Sequence, residues 1–573
     1  MKNSKKILFV EKDLRNEKLG IMYLSSSLKK QGHHTDLIQV DKEDIDQKIK
    51  EYKPDFIAFS IATGEHVYAL KTAKKIKEKY GIPNIFGGPH CTFFPEFAQT
   101  SGVDFIVAGQ GEQAIIDIVE GKKKGFVRGR IFDHDTILPD RELFYKYSEF
   151  LDNPMKNIIT SRACPYRCSY CFNHSYLEIT KYFKETKKWF NRRSPKNIIT
   201  EIEAINKKYP LDKILFIDDN FLQGGRSWIT SFLERYVVAF KKFPWLCSMR
   251  VNHLNEKLAV KLFESGLEMV NFALESADPH VQKYILNRGH IQNRDIIQAI
   301  LMFEKYGIRA RMQNMIGLPL ENSLEDALNT LQFNINHPVT DSWCSILQPY
   351  PRTALGRYCI DQGFISTDQL KSCSESFFNE TRLNINNKTE INALQKLWYF
   401  IVEGKIPLQV VQVLIKGKYT NKIYDELKEL RFKCSKKKLY NIDDNDPATV
   451  INLKKRENLV SSDSLKIKST SNYELLMKKI FEKVPLPDSF IDIISQVRLE
   501  SKEIQKLLDY ISANKQNNLS VYTINDETGD LMNPKLSIYL RGTSEQQRNI
   551  IPKMKEPHFM DNVVDVYNKL LSG

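Results

Sequence analysis

Nothing in this sequence approaches the roughly 18 consecutive apolar residues that a membrane-spanning helix needs, so no integral membrane segment is expected. The apolar run at residues 7–10 is closed by Glu11, Lys12 and Asp13. That is too short for a secretory signal and reads as a first buried strand, so the expectation is a cytoplasmic chain. Cysteine is sparse, 9 in 573 residues, and forms no regular framework. Cys91, Cys247, Cys344, Cys359, Cys373 and Cys434 stand apart; only Cys164, Cys168 and Cys171 cluster. In a reducing compartment such clustering points to metal or redox chemistry and away from disulfides. There is no solenoid repeat. The formal charge of +14 is spread over lysines on exposed helix faces such as 71–79, which reads as solvated surface and not as a nucleic-acid site.

What is present is organisation in three parts. A chain of this length exceeds one hydrophobic core. Short apolar runs at 7–10, 35–38, 56–60, 85–86 and 105–107 alternate with amphipathic stretches such as 19–30 and 67–79. That alternation predicts a doubly wound, Rossmann-like parallel sheet over residues 1–130. After a connector at 131–154, six strand patterns recur at 157–160, 213–217, 246–251, 269–274, 309–316 and 343–347. They predict a partial (β/α)6 barrel over 155–375, with chemistry at the carboxyl ends of its strands. The remainder, 376–573, reads as a mostly helical domain that shapes the substrate pocket. Helices are expected at 391–402 and 488–513, a polar loop at 454–472, a hairpin at 519–524 and 536–540, and a closing helix near 561–571.

Cys164-Pro-Tyr-Arg-Cys168-Ser-Tyr-Cys171 follows the first barrel strand directly. Three thiolates hold three irons of a cubane cluster and leave the fourth open for a ligand. A structural zinc site is the competing reading, with His174 as a fourth ligand. The spacing, with the aromatic Tyr170 before the last cysteine, resembles the radical S-adenosylmethionine (SAM) superfamily. The resemblance implies a 4Fe-4S cluster on Cys164, Cys168 and Cys171, SAM on the open iron, and reductive cleavage of SAM to a 5′-deoxyadenosyl radical. Further strand ends then supply expected SAM contacts: Asp218 and Asp219, Arg250, Glu275 and Ser276, and Asn314 with Gly317. The family segment Gly-Ile-Glu-Ser reads Ala273-Leu274-Glu275-Ser276 here.

In the first part Ser60, Thr63 and Gly64 follow one strand, Gly87 and Gly88 the next, and Gly109, Gly111 and Glu112 the last. Glycines at these ends suit a sheet whose backbone a large ligand approaches, though ordinary tight turns need them too. Their order resembles the cobalamin-binding domain that precedes many radical SAM modules. One departure matters: the loop from Glu11 to Gly20 has no histidine, whereas cobalamin mutases place the cobalt-ligating histidine there. Cobalamin is then expected without that ligand; His66 is the remaining candidate near the loop after Ser60.

The resemblance implies an enzyme that methylates an unactivated carbon through a 5′-deoxyadenosyl radical and methylcobalamin. Alternatives are a cobalamin-dependent cyclase or rearrangement enzyme without methyl transfer, and a non-enzymatic cobalamin sensor or carrier. Expected partners are a small-molecule or lipid substrate and an electron donor such as flavodoxin or ferredoxin.

Overall fold

Two parallel six-stranded sheets account for the two alternating regions of sequence. The computed structural model describes residues 4–440 apart from 15, 183–190 and 372–379, and residues 486–510 apart from 498, 501, 504–505 and 508–509. The polar loop, the hairpin and the closing helix expected beyond residue 440 lie outside the described residues. No helix among the described residues is long and apolar enough to cross a membrane.

The first sheet contains β1 (Lys6–Glu11), β2 (His34–Gln39), β3 (Phe56–Ser60), β4 (Asn84–Gly87), β5 (Phe105–Ala108) and β6 (Phe126–Arg128). Its order is β2-β1-β3-β4-β5-β6. Alternation along β1 explains the two helical layers. Ile7 and Phe9 bury on the side of helices Leu19–Lys30 and Glu112–Val119, while Leu8 and Val10 bury on the side of His66–Tyr80. Each such side chain contributes about 1.5–3 kcal/mol of burial. The order reverses between β1 and β3, so the crevice beyond their carboxyl ends is where a sheet of this kind takes a ligand.

The second sheet contains β7 (Met155–Ile158), β10 (Lys213–Phe216), β11 (Trp245–Ser248), β12 (Leu267–Glu275), β13 (Arg309–Ile316) and β14 (Asp341–Ile346), adjacent in that order. Between β7 and β10, β8 (Ser161–Arg162) and β9 (Asn191–Arg192) form a short antiparallel ribbon that frames the cysteine loop. Even-numbered residues of β13, Ala310 and Met312, pack on the helix side with Phe303, so Arg311 and Gln313 face the barrel interior.

Beyond the barrel, helix Lys388–Gly404 packs on β14 through Leu394, Leu397 and Ile401. The long helix expected from residue 488 ends at Ile494. The chain turns there, and Val497 buries against Gly417, where an added Cβ would lie 2.3 Å from it. Helix Asn421–Tyr440 drives Leu439 into the barrel floor against Leu246 and Met269.

Buried charge joins the two sheets. Glu17, in the loop after β1, accepts the Asn157 N–H at 2.8 Å at the start of the barrel. Arg141 of the connector meets Glu201 at 2.5 Å and Glu17 at 3.5 Å, and donates to the Asn157 carbonyl at 2.6 Å. Glu112, buried at the start of its helix, meets Arg162 at 2.7 Å and His134 at 3.1 Å. Phe93 stacks on Phe172 at 4.5 Å, and Arg352 reaches Glu96 at 2.7 Å.

Removing one partner of a buried charge network strands the others. Arg141→Met is therefore expected to cost about 3 kcal/mol, measured as a lowered midpoint in chemical denaturation; an unchanged midpoint contradicts the arrangement. Burial alone would raise the Glu112 carboxyl, but Arg162 and His134 outweigh it and hold it at about 2, below its ordinary 4.5. Its stabilisation is thus present above about pH 4.5 and fades as pH falls toward 2. The stability gap between wild type and Glu112→Gln should narrow across that window in acid-denaturation curves, and a gap independent of pH contradicts the pairing.

Candidate functional site

At the carboxyl edge of the first sheet, the loop after β1 carries an ion cluster where a histidine is missing. Lys18 lies 2.5 Å from Glu11 and 3.3 Å from Glu65, and 3.5 Å from the Ser60 carbonyl. Burial pushes Glu11 up to about 7 despite Lys18. Thr63 Oγ1 lies 3.3 Å from His90 Nδ1, and the His90 ring stacks on His66 at 4.1 Å. His66 Nδ1 accepts the Gly64 N–H at 3.2 Å, so the neutral ring keeps its proton on Nε2. Burial, and next His66, depress His90 to about 3.

The glycines here serve the fold first. Gly88 has φ +92°, and a Cβ would lie 2.8 Å from both the N and the O of Ile61. Gly109 has φ +94°, and a Cβ would lie 2.9 Å from the Gly129 carbonyl. Its N–H donates to Thr92 Oγ1 at 2.9 Å. At these two positions the side-chain direction is occupied by neighbouring backbone. Gly87 and Gly111 lie beside Val107 and Leu24.

The cysteine loop starts at Ala163, whose φ of +71° turns the chain off β8. Cys168 is buried, and Cys164 and Cys171 are half-buried. Arg250 Nη1 donates to Cys168 Sγ at 3.5 Å, and Asn173 Nδ2 to Cys171 Sγ at 3.6 Å. Burial pushes the Cys164 thiol up to about 11 and Cys171 to about 12. The loop is pinned by Ser169, whose hydroxyl donates to the Ile285 carbonyl at 2.5 Å and whose carbonyl accepts the Leu355 N–H at 2.8 Å. Tyr170 donates to Glu275 Oε1 at 2.8 Å and accepts from Arg288 Nη1 at 3.0 Å. Glu275 sits at φ +68° where β12 slips register, and burial raises its carboxyl. Among the described residues no three His, Cys, Asp or Glu side chains converge on one metal ion. A cubane takes its three thiolates on separate irons.

Several expected contacts turn inward instead. Asp218 braces the end of β7 by accepting from Thr160 N at 3.0 Å, from Thr160 Oγ1 at 2.7 Å and from the Ser161 hydroxyl. Ser276 donates to Asp326 at 2.6 Å. Asn314 exchanges bonds with Asn334 at 2.9 and 3.0 Å behind the sheet. Glu112 belongs to the junction between the sheets. Gly317, at φ +71°, packs beside Ile391 and Ile346. Asp219 stays beside Asn173, with burial raising its carboxyl.

Sequence reading missed Tyr166, Gln223, Arg288 and His290. Arg250 lies over the Tyr166 ring at 3.8 Å and bonds His290; Tyr166 stacks on His290 at 5.0 Å. Gln223 donates to the Ala163 carbonyl at 2.8 Å. Around the same mouth, Arg250 Nε, Asn220 Nδ2, Gln223 Oε1 and Asn271 Oδ1 are buried without a hydrogen-bond partner in the protein. Buried polar atoms left this way are open to a bound ligand or an ordered water.

Comparison with known proteins agrees with this layout. The B12 binding domain family matches residues 6–119, and the Radical SAM superfamily matches residues 158–333. An uncharacterized methyltransferase of Pyrococcus horikoshii is 27% identical over 417 residues, covering 67% of this chain and 84% of its own length. The anaerobic magnesium-protoporphyrin IX monomethyl ester cyclase of Rubrivivax gelatinosus is 24% identical over 343 residues, covering 53% of this chain and 59% of its own. The solved structure of TsrM from Kitasatospora setae, a radical SAM methyltransferase with cobalamin and a [4Fe-4S] cluster bound, superposes with a TM-score of 0.54. It is 13% identical, covers 77% of this chain and 100% of that one, and so shares the fold. With both domains matched in the order of the two sheets, this chain belongs to the cobalamin-binding-domain radical SAM enzymes, whose cofactors are a 4Fe-4S cluster, SAM and cobalamin.

Proposed function

We propose that this enzyme is a C-methyltransferase acting at an unactivated carbon. The observation that carries the reading is the junction of the two sheets. Glu112, at the carboxyl edge of the first sheet, is paired with Arg162, two residues before Cys164. Each cofactor face is thereby held at the other's border. The methyltransferase names of the Pyrococcus and Kitasatospora relatives support it.

The residues present fit the cofactors. Cys164, Cys168 and Cys171 are free thiols on one pinned loop, two of them already accepting N–H donors. Hydrogen bonds to ligating sulfur are among the levers that set a cluster's potential. The orphaned atoms of Arg250, Asn220, Gln223 and Asn271 offer the donors and acceptors that a SAM molecule needs for orientation. Glu275 is a half-buried carboxyl group at the same mouth, already held by Tyr170. The crevice between β1 and β3 would hold cobalamin, edged by Ser60, Thr63 and Gly64, and no histidine of the β1 loop approaches it. When bound, the cluster and SAM supply a carbon-centred radical and cobalamin supplies a methyl group. The protein's share is to position both and to keep water from the reacting carbon.

One turnover consumes two SAM and releases one S-adenosylhomocysteine, one methionine and one 5′-deoxyadenosine, with electrons drawn from an external one-electron reductant. The test needs no substrate. Protein reconstituted anaerobically with iron, sulfide and reduced cobalamin is mixed with methyl-labelled SAM. Label is expected on the bound corrinoid in amounts equal to the S-adenosylhomocysteine formed. Formation of 5′-deoxyadenosine with no label on the corrinoid would contradict methyl transfer and favour the cyclase-type reaction.

A further inference from the structure

The segment that follows β12 grips the cysteine loop. It passes through a π-helical turn, Val281–Ile285, a rare form found frequently at functional sites. The Ile285 carbonyl takes the Ser169 hydroxyl at 2.5 Å, the Leu286 carbonyl takes the Ser169 N–H at 3.0 Å, and Asn287 Nδ2 donates to the Arg167 carbonyl at 2.7 Å. Arg288 comes next and is buried. It reaches a side chain of the loop and not its backbone: Nη1 donates to the Tyr170 hydroxyl at 3.0 Å. Its Nη2 donates to the carbonyl of Ala273 at 2.6 Å, on β12 just before Glu275.

Counting protons gives these bonds a direction. A guanidinium only donates, and a phenol hydroxyl has a single proton to give. With Arg288 on its acceptor side, the Tyr170 hydroxyl gives that proton to Glu275 Oε1 at 2.8 Å. The Tyr170 ring is held in place by the apolar cluster of Val281, Ile285 and Leu286. Among the described residues no hydrogen bond or ion pair reaches the other oxygen, Glu275 Oε2, which stays free to accept from a ligand. Glu275 is half-buried; burial raises its carboxyl, while Arg288 and next the Tyr170 bond oppose the rise. Arg288 thus acts on Glu275 in two ways, aiming the carboxyl through Tyr170 and favouring its ionised form.

The two elements that Arg288 joins are the two that SAM has to span. Its amino-acid end belongs at the iron left open by Cys164, Cys168 and Cys171, and its nucleoside end at the carboxyl of Glu275. Tyr170 lies in the cysteine loop, and Glu275 ends a strand 105 residues later. Arg288 is bonded to both elements at once, through Tyr170 and through Ala273.

We propose that Arg288 is a positioning residue for SAM: by holding the Tyr170 hydroxyl it keeps Glu275 Oε2 turned to the ribose hydroxyls and fixes the cysteine loop against the strand end that receives the nucleoside. Its effect passes through Tyr170, so cutting the bond on either side of that hydroxyl has the same consequence. This rests on the reading of Glu275 as a SAM contact.

The test is SAM binding to the full-length protein carrying its oxidised cluster, measured anaerobically by calorimetry, with iron content and the visible spectrum recorded on the same samples. Arg288→Met is expected to weaken SAM about tenfold, the size of one lost charge-assisted hydrogen bond, with iron and spectrum as in wild type. Tyr170→Phe should weaken SAM to the same degree, and adding Arg288→Met to it should cost little more, because coupled residues are not additive. Arg288→Lys, which keeps a cationic donor, should recover part of the affinity. Wild-type SAM affinity in Arg288→Met overturns the proposal. A double variant whose two losses multiply also overturns it, since Arg288 would then act independently of Tyr170. If Arg288→Met does not keep its iron, Tyr170→Phe, which lacks a single oxygen, decides: weakened SAM binding supports the proposal and unchanged binding overturns it. Glu275→Ala separates the proposal from the reading beneath it. Unchanged SAM affinity in that variant removes Glu275 as a contact and the proposal with it, whereas a weakened Glu275→Ala beside an unchanged Arg288→Met removes only the role of Arg288.

Discussion

The buried contact of Glu112 with Arg162 and His134 is the interaction on which the two halves of this protein depend. It buries a carboxylate completely at the carboxyl edge of the first sheet and pairs its Oε1 with Arg162, which leads into the cysteine loop, and with His134 of the connector. Separating a buried pair of this kind is costly, so the contact favours this placement of the two sheets. The Glu17–Asn157 and Arg141–Glu201 contacts repeat the device on the other flank. The loop that carries a cobalt-ligating histidine in cobalamin mutases is, in this chain, partly given over to holding the barrel.

That constraint organises the chemistry outward. Once Arg162 is fixed, Ala163 turns the chain, Ser169 ties the loop to Ile285, and Tyr170 reaches Glu275. These two bonds tie the cysteine loop to the end of β12 and to the helical turn that follows it. Farther down the barrel, Trp343 between two guanidinium groups marks a second polar level beneath the first.

The strands were legible because burial follows period two and period three to four, and because a parallel sheet needs its crossovers. β6 was not, being three residues long and flanked by the lysines 122–124. Helix Asn421–Tyr440 escaped notice because Arg431 and Ser435 interrupt its apolar stripe. The cysteine motif was visible from spacing alone. Asp218, Ser276 and Asn314 were read as ligand contacts because sequence gives their place at a strand end but not their direction. Each is taken up by a donor or acceptor from a distant segment, such as Asp326 or Asn334. Glu112 was read with the cofactor for the same reason, since nothing local announces Arg162 as its partner.

The central claim is that one chain holds a cluster and a corrinoid facing each other across this junction. Electron paramagnetic resonance of protein carrying both a reduced cluster and Co(II) cobalamin tests it most directly. The account predicts two interacting spins, seen as splitting or accelerated relaxation that disappears when the junction is opened by Glu112→Gln with Arg352→Ala. Two independent, unperturbed signals in the wild-type protein would contradict it.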